Sequence, residues 1–196
     1  MVEKISTELA DAIAKALQQA KPRTDAEIIM VVSPASDHYQ GEVMAYGLAL
    51  GSLLSLGLWL GNVYSGFPEL LGVQIAVIAA VNLVPALRCA FVKLIPKRIL
   101  HHRAARRAMT EFVFETRHVP AQQPAVMLYV SLAERYAHIL HSRAVPEKVP
   151  GKAWEDVISN FTWTVKSAGL QSACITAIDS MAKTLEAPFP VKPSKN

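Results

Sequence analysis

The sequence predicts an α/β protein: a small α/β sandwich interrupted, after its first strand, by a two-helix transmembrane hairpin. Three observations predict it. Two long uncharged apolar runs, Val43 to Tyr64 and Leu70 to Leu87, are separated only by a short turn. Short runs rich in Val, Ile and Met lie on both sides of that pair, bounded by turn residues. Amphipathic helical patterns flank the short runs in turn.

The opening element is a helix. Val2, Ile5, Leu9, Ala12, Ile13, Ala16, Leu17 and Ala20 recur at helical spacing, and charged or polar residues fill the other faces. Pro22 stops it. Ala26 to Ser33 (AEIIMVVS) follows, a continuous β-branched run that reads as a fully buried strand. Pro34 to Glu42 leads from the strand to the apolar runs.

A membrane helix needs roughly 20 apolar residues to cross about 30 Å of hydrocarbon. Met44 to Tyr64 meets that length, and Leu70 to Val92 meets it if Arg88 snorkels to the headgroups. The link Ser65-Gly66-Phe67-Pro68-Glu69 is short, so the spans are antiparallel and both flanks share one side. Lys93, Lys97, Arg98, Arg103, Arg106 and Arg107 follow the second span, while the turn carries no Lys or Arg. The positive-inside rule therefore puts both termini in the cytoplasm. Tyr46, Tyr64 and Phe67 fall near the expected interfaces. The small residues Gly47, Gly51, Ser55, Gly57 and Gly61 let the first span approach the second, where Ala76, Ala79 and Ala80 are available, with homo-oligomerisation through the same residues as the alternative. Asn82 and Pro85 mark a kink tolerated by the partner helix or, in an oligomer, a pore, and the kink is the plainer reading. The first apolar run starts too far in for a signal peptide.

Beyond the hairpin, Arg98 to Glu115 reads as a helix with a basic first half and an apolar face of Ala105, Ala108, Met109, Phe112 and Val113. Ala125 to Ser131 (AVMLYVS) is a second buried strand. Leu132 to Arg135 turns, and Tyr136 to Leu140 alternates as a third strand. Trp154, Val157, Ile158, Phe161 and Val165 form a helix ending near Gly169, and Leu170 to Leu185 forms the last. Prolines 188, 190 and 193 break structure in the tail.

One helix and one strand cannot make a core. The two sequence halves must therefore fold together around the inserted hairpin. The expected divisions are 1–42 for the first half, 43–93 for the hairpin, 94–187 for the basic helix and second half, and 188–196 for a disordered tail.

The chain of 196 residues is 52% hydrophobic, with a formal net charge of +4. Its mean hydropathy is +0.25 and its pI is about 9.1. Basic residues concentrated beside an apolar span point to anionic lipid headgroups and away from nucleic acid. Cys89 and Cys174 are too few and too far apart for a zinc site or disulfide framework. No phosphate-cradling glycine loop or nucleophile elbow is present.

Three segments carry a family resemblance. They are the amphipathic helix leading into TDAEIIMVVSPASDHY (Thr24 to Tyr39), the paired strands in AVMLYVSLAERYAHIL (Ala125 to Leu140), and the closing helices with GLQSACITAID (Gly169 to Asp179) and LEAPFP (Leu185 to Pro190). In that order they resemble the TPM domain family, named for thylakoid, photosystem II repair and motile proteins. A bacterial subgroup inserts a two-span hairpin after the first strand and resumes with a basic helix, as here. The resemblance implies an α/β sandwich in the inner (plasma) membrane of a bacterium. In some plant relatives it implies acid phosphatase activity with acidic residues and calcium nearby; in others it implies a helper role in assembling or repairing membrane complexes. This chain departs from the active pattern. Lys166-Ser167-Ala168-Gly169 holds no acid where secreted-type members have one, and His141-Ser142-Arg143 replaces another acidic position.

Asp37, His38 and Tyr39 lie just past the first strand, at the sheet edge that ligands favour. A carboxylate beside an imidazole suits acid–base or metal chemistry. The plainer reading is that Asp37 caps the helix entering the membrane. Glu134 and Arg135 occupy the turn between the paired strands, and a solvated turn is the plainer reading there as well. His138 and His141 are ill placed for a metal pair by strand periodicity. The functional expectation is a membrane-anchored α/β interaction domain that assists or scaffolds a membrane protein complex. Its partners are the anionic bilayer and a membrane protein or a second copy, with no cofactor and no nucleic acid. The alternative is a metal-assisted, phosphatase-like hydrolase on the cytoplasmic face, with a divalent metal such as calcium.

Overall fold

A computed structural model describes residues 7–36, 39–63, 66–84, 95–120, 122–146 and 148–191. These residues form an α/β fold with five helices and a three-stranded mixed sheet. In chain order they are α1 (Thr7–Ala20), β1 (Glu27–Ser33), α2 (Gln40–Leu60), α3 (Phe67–Leu83), α4 (Lys97–Thr116), β2 (Ala125–Ser131), β3 (Tyr136–His141) and α5 (Gly151–Glu186). The chain divides into two compact units. One comprises 1–36 and 101–196, the other 37–100.

In the first unit β2 is the central strand. It pairs in parallel with β1 (Ile28 opposite Val126, Val32 opposite Val130) and antiparallel with β3 (Leu128 opposite Ile139). A parallel neighbour requires a long crossover, and the whole of residues 34–124 separates β1 from β2. All seven residues of β2 are buried because both faces of the sheet are covered. Ile28, Val126, Leu128, Val130 and Ile139 face a core built with Leu9 and Ala16 of α1 and Phe161, Ile178 and Leu185 of α5. On the opposite face Met127 and Tyr129 pack against Ala108 of α4, with Phe112 and Leu140 alongside. Ala104 and Ala108 have no exposed surface, so α4 approaches the sheet through its small side chains.

The two closing helices are joined at Gly169, whose φ of 85° and ψ of 171° interrupt α5. A side chain at that φ is strained, so glycine sets the corner. The turn between β2 and β3 closes with Arg135 in the left-handed region, φ 50°, while its N–H donates to the Leu132 carbonyl at 3.3 Å.

The tail expected to be disordered from 188 is ordered through its first residues. Phe189 is buried in the main core. Its carbonyl accepts from the Thr24 hydroxyl at 2.9 Å and from the Asp25 N–H at 3.0 Å. The prolines stop the helix, yet the segment after it gains tertiary partners that the local sequence does not reveal.

In the second unit α2 and α3 pack antiparallel. The Gln74 amide donates to the Ser52 hydroxyl at 3.1 Å, and the Ser55 hydroxyl donates to the Leu70 carbonyl at 3.1 Å. α2 starts at Gln40, three residues before the apolar run, with Tyr39 as its N-cap at φ 49° and no side-chain cap. α3 begins inside the expected turn, at Phe67. Pro68 suits a first helical turn, where no N–H is needed, and Glu69 accepts the Gly66 N–H at 3.3 Å. Within α2, Gly41–Leu60 is long and apolar enough to cross a membrane. α3 has 17 residues and ends at Leu83, short of the expected extension to Val92. The continuation, with Pro85, Arg88, Cys89 and Lys93, lies outside the described residues.

Candidate functional site

The strongest polar constellation in the first unit lies where β1 ends and the β2–β3 turn begins. β1 delivers Ser33 and, three residues on, Ser36. β2 delivers Tyr129 and Ser131, and the turn delivers Glu134. Backbone bonds draw the two segments together: the Leu132 N–H donates to the Ser33 carbonyl and the Ala133 N–H to the Pro34 carbonyl, each at 3.0 Å.

Glu134 is the focus. It is only 5% exposed, so the solvated turn expected for it is corrected. It is buried because the β1 exit folds over the turn, a contact between residues far apart in sequence. The Ser36 N–H donates to its Oε1 at 3.0 Å, and the Ser131 hydroxyl donates to Oε2. The Ser36 hydroxyl donates to Ser131 Oγ at 2.9 Å and meets the Tyr129 hydroxyl at 3.1 Å. A hydroxyl has one proton to donate. Since Ser36 gives its proton to Ser131, Tyr129 must donate to Ser36. The hydroxyls of Tyr129, Ser36 and Ser131 thus point in series toward the Glu134 carboxylate. Each bond polarises the next, and a buried carboxylate is satisfied by such donors. The arrangement ties the crossover loop to the sheet. Each Glu134 oxygen already accepts one donor from its own chain.

Arg135, next along the turn, is exposed and points to a different task from its neighbour. Asp37 and His38, proposed beside this edge, lie outside the described residues. His138 has its ring 5.9 Å from that of Tyr136, whereas His141 stacks on Trp154 at 6.5 Å. The pairing register puts these two histidines on opposite sheet faces. Among the described residues no group of three or more His, Cys, Asp and Glu side chains could hold a metal ion.

The basic residues of α4 are dispersed along the helix. Lys97, Arg98, Arg106 and Arg107 are exposed and Arg103 is half-buried. Arg107 pairs with Glu111 at 2.6 Å, and Arg106 donates to the His102 ring at 3.2 Å. Lys93 lies outside the described residues.

The small residues of α2 divide into two sets. A side chain on Gly51 would meet Gln74 at 3.2–3.3 Å, and one on Gly47 would meet Ile78 and Val81 at 3.8 Å. Ser55 bonds to α3 directly. Gly57 has nothing within 4 Å, and Gly61 meets only its own chain near Gly57, Leu58 and Val63. The sequence motif did not distinguish them: at 3.6 residues per turn Gly57 lies on a different face of α2 from Gly47 and Gly51, and Gly61 is the helix C-cap.

No family model matches the chain, and no curated protein matches it in sequence. Among solved structures, the chain is similar to the NMR structure of the BA42 protein from the psychrophilic bacterium Bizionia argentinensis. The TM-score is 0.56 at 15% identity, over 97% of this chain and 87% of that one. At this identity the likeness concerns the fold alone. The two share an α/β fold, here with a three-stranded mixed sheet and five helices among the described residues.

Proposed function

We propose that the chain is a membrane-anchored α/β interaction domain that assists or scaffolds a membrane protein complex. In this reading α2 and α3 form a two-pass anchor in the inner membrane of a bacterium, and both termini are cytoplasmic. The observation that carries the reading is the surface of α2. Only 17% of its membrane-length window is buried, and Leu53, Trp59 and Leu60 are 66%, 53% and 70% exposed. Such a surface in water is a large exposed apolar patch, which soluble monomers avoid; in lipid it is at home. At 17 residues α3 reaches the lower end of the roughly 17–25 needed to span. The basic residues from Lys97 onward, against a turn without Lys or Arg, support the orientation.

The test is extraction and crosslinking of the full chain in its native membrane. Retention in the membrane at alkaline pH, with discrete protein adducts through the α/β unit, is the expected result. Release into the soluble fraction, or retention with no adduct, contradicts the anchor or the scaffold respectively.

A further inference from the structure

A cleft of about 570 Å³ opens in the first unit between the β2–β3 turn, β3 and the first half of α5. Its floor is apolar, from Leu132, Ala137, Phe161 and Val165, and two cations, Arg135 and Lys166, line it as well. No Asp or Glu lines the cleft. Arg135 and Lys166 are both exposed, and among the described residues neither makes an ion pair. The left-handed backbone of Arg135, φ 50°, and the break at Gly169, φ 85°, fix the two ends of the cation-bearing segments.

An apolar cleft with a few convergent polar groups is the usual form of a small-molecule site. The charged groups share one sign, beside the polar His101, Ser131, Tyr136 and Thr162, so the complementary ligand carries an anionic head on an apolar body. The volume lies within the roughly 300–1,000 Å³ of small-ligand pockets, enough for one acyl chain. We propose that this cleft binds a single-chain acyl carboxylate, with Arg135 and Lys166 on the carboxylate and the chain against Phe161 and Val165. The cleft shares Ser131 with the Glu134 junction but not Glu134 itself, and ligand binding there does not depend on the scaffold role.

The test uses the full chain in phosphatidylcholine nanodiscs, photolabelled with a diazirine-bearing dodecanoate. Saturable labelling of the segments around Leu132–Ala137 and Phe161–Leu170 is expected, with unlabelled dodecanoate competing about tenfold better than dodecanol. Arg135→Gln with Lys166→Gln should lower labelling about tenfold. Val165→Trp, which fills the cleft from a half-buried helix position, should abolish it, and Lys152→Gln outside the lining should leave it unchanged. Labelling confined to α2 and α3, equal competition by dodecanol, or displacement by phosphatidylglycerol in the nanodisc as effective as by dodecanoate would each overturn the assignment.

Discussion

The backbone N–H of Ser36 donates to Oε1 of Glu134 at 3.0 Å, joining the exit of the first strand to the turn after the second. Two consequences follow. The carboxylate is committed to holding the crossover in place, and its loss leaves buried donors without an acceptor.

Replacing Glu134 therefore has a graded cost. Glu134→Ala orphans the Ser36 N–H and the Ser131 hydroxyl and should destabilise the α/β unit by about 3–6 kcal/mol, since hydrogen bonds to a charged group each contribute about 1.5–3 kcal/mol. Glu134→Gln keeps an acceptor and should cost about half as much. Thermal unfolding of the full chain in nanodiscs, followed by far-UV circular dichroism, ranks the two. Equal stability of Glu134→Ala and the parent would contradict the junction's role.

The packing of α2 on α3 predicts unequal tolerance along one motif. Gly51→Leu must push Gln74 aside, where a Cβ already stands 3.3 Å from the Gln74 backbone, whereas Gly57→Leu enters open space. Disulfide trapping between Ser52→Cys and Gln74→Cys reports the contact, because those side chains are hydrogen-bonded at 3.1 Å. Gly51→Leu should reduce the trapped fraction severalfold and Gly57→Leu should not. A reversed order would mean that the helices pack through another face.

Acid should release a surface clamp. Lys183 donates to Asp179 and Arg23 also donates to it, at 2.8 and 2.7 Å. These partners hold the Asp179 carboxyl below its ordinary value of 3.8. A depressed folded-state pKa gives a contribution that is present above the unfolded-state value and lost as pH falls through the folded-state one. Asp179 is about half exposed, so water screens the effect and its size is small. Stability curves of the parent and Asp179→Asn should be separated near neutral pH and converge below about pH 3. A gap that persists or widens in acid would assign the effect to something other than this carboxylate.

Cys174 is fully buried in the main core, and burial pushes its thiol up to about 12. The thiolate is the reactive form, so at pH 8 the folded chain offers almost none. In a Cys89→Ser background, a water-soluble maleimide should modify Cys174 only after denaturation. Rapid labelling of the native chain would show that this side of α5 opens.

What was legible in the sequence was what local pattern controls. The run AVMLYVS announces a strand buried on both faces, and β2 is that strand. EIIMVVS also gave a strand, β1, but the full burial expected for it is corrected: β1 lies at the sheet edge and only Ile28 of it is buried. Gly169 marked the break between the closing helices because only glycine adopts its φ readily. The hidden features depend on distant partners. Glu134 sits in a turn and reads as solvated until Ser36 arrives from the other side of the inserted unit. Phe189 follows a proline and reads as tail until Thr24 and Asp25 take its carbonyl. Arg135 and Lys166 are unremarkable charges in sequence, brought to one cleft only by the fold.

The membrane anchor is the central claim, and cysteine accessibility in intact bacterial cells tests it most directly. Val63→Cys, in the link after α2, and Lys152→Cys, at the start of α5, are each placed in the Cys89→Ser background and exposed to a membrane-impermeant maleimide. The two-pass orientation requires Val63→Cys to react from outside and Lys152→Cys to react only after the membrane is permeabilised. Labelling of Lys152→Cys in intact cells, or protection of both positions until lysis, would contradict it.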